Sequence, residues 1–289
     1  MTDRNGKPNP RCIVLPLLPA QGQPFSGIGI AVHFLLGNVI ALHSGFREFW
    51  FGWRVGKIFS DENALKSFCR DLGPPFDPVK LGREQEIRLW LKGRVRKPGR
   101  IPEFELTLVD IESEREDQSI VLKLDFESKL IAFRKGFIRW LGKCGFPFPE
   151  NQMEKVLWPE GASTAGLDCL GRAQEAFYIY SAWGKSVLDL ELFETAVRAM
   201  PESYMAHNLK AWAHYRYNDY RSARKSFQRA MEINPHGVGA MGGLIWCAVY
   251  TGDSETAYSW TDVKSELLGQ NKAAAKEKTA RLIEKYSNR

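Results

Sequence analysis

The chain is poor in the features that most readily announce chemistry. Its 289 residues contain five cysteines, Cys12, Cys69, Cys144, Cys169 and Cys247, widely spaced and never in a C-x-x-C. A disulfide framework and a zinc knuckle both lose support, and the thiols read as reduced and mostly buried. No G-x-S-x-G, Walker A or H-E-x-x-H string occurs, so no hydrolase, nucleotide or zinc-protease motif points to catalysis. Long apolar runs are missing too. The longest uncharged stretch, Gly27 to Gly45, contains His33, Asn38 and His43 and reads as a core helix rather than a membrane span. The polar start, followed by only seven apolar-type residues, Cys12 to Leu18, lacks the layout of a secretory leader, and a cytoplasmic address is the expectation. No charge of one sign dominates: 40 Lys and Arg stand against 34 Asp and Glu. With 44% hydrophobic and 26% charged residues, disorder and fibrous repeats are excluded and a sizeable core is available.

What is present divides into two regions. Before residue 158, strand-like and helix-like patterns alternate: a buried strand at Cys12 to Leu18, a helix at Ser26 to His43, and a strand at Glu48 to Val55. A helix then opens at an N-cap on Ser60 and stops at Gly73 and Pro74. Three alternating runs, Glu86 to Arg96, Phe104 to Ile111 and Ser119 to Phe126, predict an antiparallel meander, and a helix over Glu127 to Cys144 closes the region. WPEGASTAGLD, at 158–168, has the composition of a linker. Beyond it strands vanish and a 34-residue period appears. Phe193 falls over Phe227, Ala196 over Ala230 and Pro201 over Pro235, while Gly184, Asn218 and Gly252 share one register position.

That period, the Ala223, Phe227, Ala230 and Pro235 string, and the Asn218-Asp219-Tyr220 turn resemble tetratricopeptide repeats. Three are placed, Leu170 to Ser203, Tyr204 to Gly237 and Val238 to Asn271, with a last helix from Lys272 covering the final apolar face. The earlier region is similar to the TolB amino-terminal-like domain that precedes such repeats in many bacterial regulators and cyclases. The likeness lies in IVLPLLP at Ile13, NALKSFCRDLG at Asn63 and above all Leu91 to Asp110. That family carries no catalytic residues to this chain. The resulting prediction is an α/β domain with a mixed sheet (1–158), a linker (159–169), an all-α superhelix of three repeats (170–271) and a capping helix (272–289).

Four groups of residues could carry chemistry or binding. Gly27 and Gly29 sit where a dinucleotide fingerprint would lie, but Val32 stands at its third position, so an ordinary loop-to-helix junction is favoured. His207 and His214 are seven apart without carboxylate or thiolate company, which suits packing better than metal binding. Between residues 88 and 100 six basic residues and no acidic one surround Trp90, and period two places Arg88, Lys92, Arg94 and Arg96 on one face, with Lys97 adjoining. A phosphate-binding stripe is conceivable there, but Glu103, Glu105, Asp110, Glu112, Glu114 and Glu116 come alongside as ordinary cross-strand charge pairs. The charge is also spread thinly, with 24 basic against 19 acidic residues before Pro159 and 16 against 15 from it onward, which argues against nucleic acid.

The repeat resemblance implies a concave groove lined by Tyr178 in the first repeat, by Met205, Asn208, Trp212, Tyr215 and Arg216 in the second, and by Trp246, Val249 and Tyr250 in the third. Large aromatics with one Arg have the make-up of a protein-binding hot spot. The functional expectation is therefore a non-enzymatic adaptor for another protein or peptide, with no cofactor and no membrane insertion. A regulator touching nucleic acid through the basic hairpin and an enzyme with an unrecognised site are the alternatives.

Overall fold

In a computed structural model the chain divides into two compact units, Met1–Leu192 and Phe193–Arg289. The residues described are 9–43, 45–48, 51–72, 77–97, 100–113, 115–116, 119–125, 131–148, 163–184 and 188–286. The prediction of a mixed-sheet α/β region followed by helices alone holds.

Unit 1 is built on a six-stranded sheet of β1 (Arg11–Val14), β2 (Arg47–Glu48), β3 (Leu89–Lys97), β4 (Glu103–Asp110), β5 (Arg115–Glu116) and β6 (Ile120–Lys123). β1 runs parallel to both β2 and β3, while β3, β4 and β6 form the antiparallel part; β5 and β6 share one edge of β4. Cys12, Ile13 and Val14 are all buried, as a parallel strand covered on both faces requires. Along β3 the predicted alternation is visible, Leu89, Leu91 and Val95 turning inward. Helix α1 (Ile28–Leu42) follows β1 as expected.

The segment 48–55 departs from its predicted strand. After Glu48 the chain makes a 3-10 turn (Phe51–Trp53) and the short helix α2 (Val55–Ile58). Phe51, Val55 and Phe59 are the buried residues, and their four-residue spacing belongs to a helical rather than a pleated backbone. Helix α3 (Glu62–Cys69) is capped by Asp61, whose carboxylate accepts from the Ala64 N–H, one residue after the expected Ser60. Helix α4 (Pro78–Gln85) is a further element, announced by Asp77 as cap and Pro78 at its first position. Helix α5 (Ile131–Lys143) buries Phe133, Phe137 and Leu141, with Phe133 edge-on to Phe104 of β4 at 6.3 Å. Trp158 to Ala162 of the expected linker lie outside the described residues, as do Gly73, Pro74, Pro98 and Gly99. From Thr164 the chain is already helical.

That helix, α6 (Thr164–Trp183), belongs to unit 1 and packs along α1 at unusually short range. A Cβ on Gly171 would stand 1.7 Å from the Gly27 carbonyl oxygen, and one on Gly27 would stand 2.2 Å from the Asp168 carbonyl oxygen. The Asp168 carboxylate accepts from the Gly27 N–H at 2.7 Å, from Ser26 Oγ at 2.9 Å and from Arg172 Nε at 2.6 Å. Partial burial pushes its pKa up, but the bonds from Arg172, Ser26 and Gly27 outweigh that and hold it below the usual value. Further along the two helices, His33 Nε2 lies 2.8 Å from the Tyr178 hydroxyl, and both rings pack edge-on against Phe51.

Unit 2 begins within α7 (Leu190–Ala199) and continues as α8 (Tyr204–Arg216), α9 (Tyr220–Ile233), α10 (Val238–Tyr250), α11 (Ser254–Leu267) and α12 (Lys272–Tyr286). The 34-residue register is written into the backbone: Gly184, Asn218 and Gly252 adopt φ values of 63°, 59° and 71°. The left-handed conformation closes the end of a helix, and it recurs here at the interval of the repeat. Asp219 and Asp253 cap α9 and α11 by accepting from the Ser222 and Thr256 N–H groups. Phe227, fully buried, fills the space above Gly243 between α9 and α10. Leu282, Ile283 and Tyr286 of α12 pack against the buried Ala248, Val249 and Ala257.

Two consequences for unit 1 are open to measurement. Gly171→Ala drives a methyl group into backbone and is expected to cost about 3 kcal/mol or more. Gly37→Ala, where nothing lies within 4 Å, should be neutral or stabilise by up to about 1 kcal/mol in urea titrations. Equal effects at the two positions would contradict the close packing. His33, neutral and wholly enclosed, has its pKa lowered by burial from 6.5 to about 3. The unfolded chain therefore binds a proton below pH 6.5 that the native chain refuses, and stability falls on acidification by roughly 1.4 kcal/mol per pH unit down to pH ~3. His33→Gln should flatten the stability slope between pH 6.5 and 5 by that amount, and an unchanged slope would count against the assignment.

Candidate functional site

The basic hairpin is the first place to test. Arg88, Trp90, Lys92, Arg94 and Arg96 do alternate with buried positions along β3, giving the predicted stripe. The chain's own acceptors engage most of it. Arg88 Nε donates to Asp110 at 2.9 Å, Lys92 pairs with Glu116, and Arg94 pairs with Asp71 at 2.7 Å while donating to the Pro19 carbonyl at 2.8 Å. Lys92 also lies over the Trp90 ring at 5.6 Å. Partial burial raises the Asp110 pKa, but bonds from the Ser113 N–H and from Arg88 more than offset this and lower it. Asp110 and Glu116 are among the acids foreseen, whereas Glu103 pairs with Lys123 and the link from Arg94 to Asp71 comes from the chain beyond α3. Arg96 is exposed, and the Lys97 side chain lies outside the described residues.

The loop before α1 offers no phosphate cradle. A helix N-terminus attracts anions through its unpaired N–H groups, and here the Asp168 carboxylate already occupies that place. Gly29 has an equally local duty, since a Cβ there would meet the Leu17 carbonyl oxygen at 2.3 Å. His207 bonds to the Pro201 carbonyl and His214 lies near Asp219, each within its own turn. Among the described residues no group of three or more His, Cys, Asp and Glu side chains is placed to hold a metal, and no helix is long and apolar enough to cross a membrane.

The predicted groove residues separate into three sets. Tyr178 lies in unit 1, 2% exposed, with its hydroxyl against His33 and its pKa pushed well up by burial. Met205, Asn208 and Val249 are buried in unit 2, 2%, 1% and 0% exposed. Trp212, Tyr215, Trp246 and Tyr250 are half-buried and form one chain of ring contacts, with half-buried Arg216 beside Tyr215 in sequence. Trp212 stands edge-on to Tyr215 at 5.2 Å, Tyr215 meets Tyr250 at 5.9 Å, and Tyr250 meets Trp246 at 6.0 Å.

Two residues complete this band that the sequence reading left out. Tyr220, at the start of α9, stacks on Tyr250 with ring centroids 5.0 Å apart and planes 10° from parallel. Tyr286, near the end of α12, touches Tyr250 at 5.3 Å and Trp246 at 5.8 Å. Neither occupies a groove position of the repeat, so the period could not reveal them. For Tyr286 a signal existed in its spacing from Thr279, Leu282 and Ile283 along one face of α12. The band thus draws on α8, α9, α10 and α12. Burial, together with the neighbouring Tyr250 and Tyr220, raises the Tyr215 pKa, so its hydroxyl stays protonated and is a donor throughout the ordinary pH range.

Comparison with known proteins agrees with the core of this assembly. The tetratricopeptide repeat family matches residues 204–236, which is the helix pair α8 and α9 with its boundaries where the 34-residue period sets them. A comparison with curated proteins returns no match.

Proposed function

We propose that unit 2 docks a segment of another protein on its aromatic band, and that the chain is a non-enzymatic adaptor or scaffold. The observation that carries this reading is the continuous row of half-buried rings, Trp212, Tyr215, Tyr220, Tyr250, Trp246 and Tyr286. Rigid aromatic side chains give large contact area at small cost in conformational entropy, which is why they dominate interface energetics. A matched repeat built from α8 and α9 supports it, since repeats of this kind serve as interaction modules. Arg216 adds a planar cation suited to an acidic group on the partner.

The resemblance of residues 1–158 to the TolB amino-terminal-like domain fits a regulatory setting in the bacterial cytoplasm, with that region as the structural companion of the repeats. The nucleic-acid alternative gains nothing from the hairpin, where Arg88, Lys92 and Arg94 are spent on carboxylates of the same unit. Among the described residues no group of three or more His, Cys, Asp and Glu side chains is assembled that would favour the enzymatic reading over this one.

The test is an affinity purification that recovers the partner, followed by titration with variants. Trp246→Ala is expected to weaken binding by about 2 kcal/mol, roughly thirtyfold in Kd. Its stability cost should stay below that of Phe227→Ala, which empties an inter-helix plug at about 3 to 5 kcal/mol. A partner whose affinity is indifferent to Trp246 and Tyr250 would refute the docking assignment.

A further inference from the structure

Helix α12 is held in place by unusually little. Thr279 is the one buried residue among its fifteen, whereas α10 buries eight of thirteen. Beneath α12 runs a cavity of about 400 Å³, bounded by Gly242 and Trp246 of α10 and by Ala274, Ala275 and Leu282 of α12. Two alanines thus face a glycine across a gap, and surfaces so separated forfeit the dispersion contacts that hold the other helices together. Apolar anchoring comes from the second half of α12, where half-buried Leu282, Ile283 and Tyr286 rest on Ala248, Val249 and Ala257. The pairs of Lys272 with Glu266 and of Lys276 with Asp262, at 2.9 and 2.8 Å, are largely open to solvent and add little.

The buried polar anchor between α11 and α12 is a pair of hydroxyls, Thr261 and Thr279, 2.9 Å apart. The connection joining the two helices, Leu268 to Asn271, contains Gly269 at φ 61°, a residue that changes its backbone angles at little steric cost. At the far end of α12, Tyr286 lies on the aromatic band, 5.3 Å from Tyr250 and 5.8 Å from Trp246. Elements with few buried apolar contacts open locally, at a free energy well below that of global unfolding. Helix α12 meets that description and ends on the proposed docking surface.

We propose that α12 is a movable lid over the far end of the band which, given the docking role assigned to that band, regulates how much of it a partner can reach. The lid turns about Gly269. Closed, it lays Tyr286 against Trp246 and Tyr250. Open, it uncovers those two rings together with Val249, and a partner segment competes with α12 for them. A helix of 15 residues is marginal in water on its own, so each opening also exposes the α12 amides to exchange.

Hydrogen exchange of the full chain, read by mass spectrometry, measures the opening directly. The α12 amides are expected to exchange at least about 100-fold faster than those of α10, and with little dependence on urea, because opening uncovers far less surface than unfolding. Thr261→Cys combined with Thr279→Cys supplies a lock, since the two hydroxyls already touch and a disulfide there joins α12 to α11. Oxidation of this double variant should slow α12 exchange at least about tenfold and lower hydroxyl-radical labelling of Trp246, and reduction should reverse both. Exchange of α12 in the unaltered chain as slow and as urea-dependent as that of α10 would overturn the lid. So would Trp246 labelling that is the same in the oxidised and reduced forms. Neither result touches the docking role, which the affinity of the Trp246→Ala variant decides by itself.

Discussion

The second unit depends on a contact between a ring and the absence of a side chain. Phe227 stands over Gly243 so closely that any Cβ there would penetrate its ring, and this sets how near α9 and α10 approach. The same ring meets Trp212 edge-on at 5.0 Å. Through that one side chain the intra-repeat packing of α8 and α9 is joined to the stacking of the next repeat. The positions of Tyr215, Tyr220 and Tyr250 at the seam follow from it. Arg224, paired with Asp253 at 3.2 Å, and the Tyr204 hydroxyl, accepting from the Ala240 N–H at 3.1 Å, fasten the same junction with polar contacts. Hydrophobic filling sets the distance between the helices, and the polar contacts fix their register.

Unit 1 uses the same device with backbone in place of the ring. Gly27 and Gly171 let α1 and α6 touch main chain to main chain, and Asp168 converts the resulting proximity into a cap for α1. The buried polar row beyond it, His33 with Tyr178, is enclosed by Phe51 and stays uncharged. Beside it Arg70 pairs with Glu175 at 2.6 Å and stacks over Phe25, tying α3 to α6. Residues that looked like candidates for ligand chemistry, a glycine pair before a helix and a tyrosine in a repeat position, are here spent on holding two helices together.

How much of this was legible depends on whether the signal is periodic. The 34-residue register could be read because φ > 0 at Gly184, Asn218 and Gly252 restricts residue type at a fixed interval. Alternation along β3 was equally plain, since Leu89, Leu91 and Val95 are buried and the residues between them are not. The strand expected at 48–55 failed because its aromatic residues favour strands, yet Phe51, Val55 and Phe59 are buried at helical spacing. The close approach of α6 to α1 leaves no periodic signal, because it rests on Gly27 and Gly171, which are far apart in the chain. Of the candidate site, Trp212, Tyr215, Trp246 and Tyr250 were foreseen as a set, while Tyr220 and Tyr286 join through contacts that no period encodes. The pairing of Arg94 with Asp71 was likewise beyond a hairpin-level reading.

The account turns on the aromatic band being open to a partner in the intact chain, and the chain contains its own reference residues for that question. Hydroxyl-radical footprinting read by mass spectrometry compares side-chain accessibility residue by residue. Tyr217, 38% exposed, marks the open limit, and Tyr204 and Tyr178, 7% and 2% exposed, mark the closed one. An open band requires Trp246, Tyr250 and Tyr286 to be modified at rates approaching that of Tyr217 and well above those of Tyr204 and Tyr178. Rates as low as those of the two buried tyrosines would show the band to be covered, and the docking surface on which the account rests would not exist.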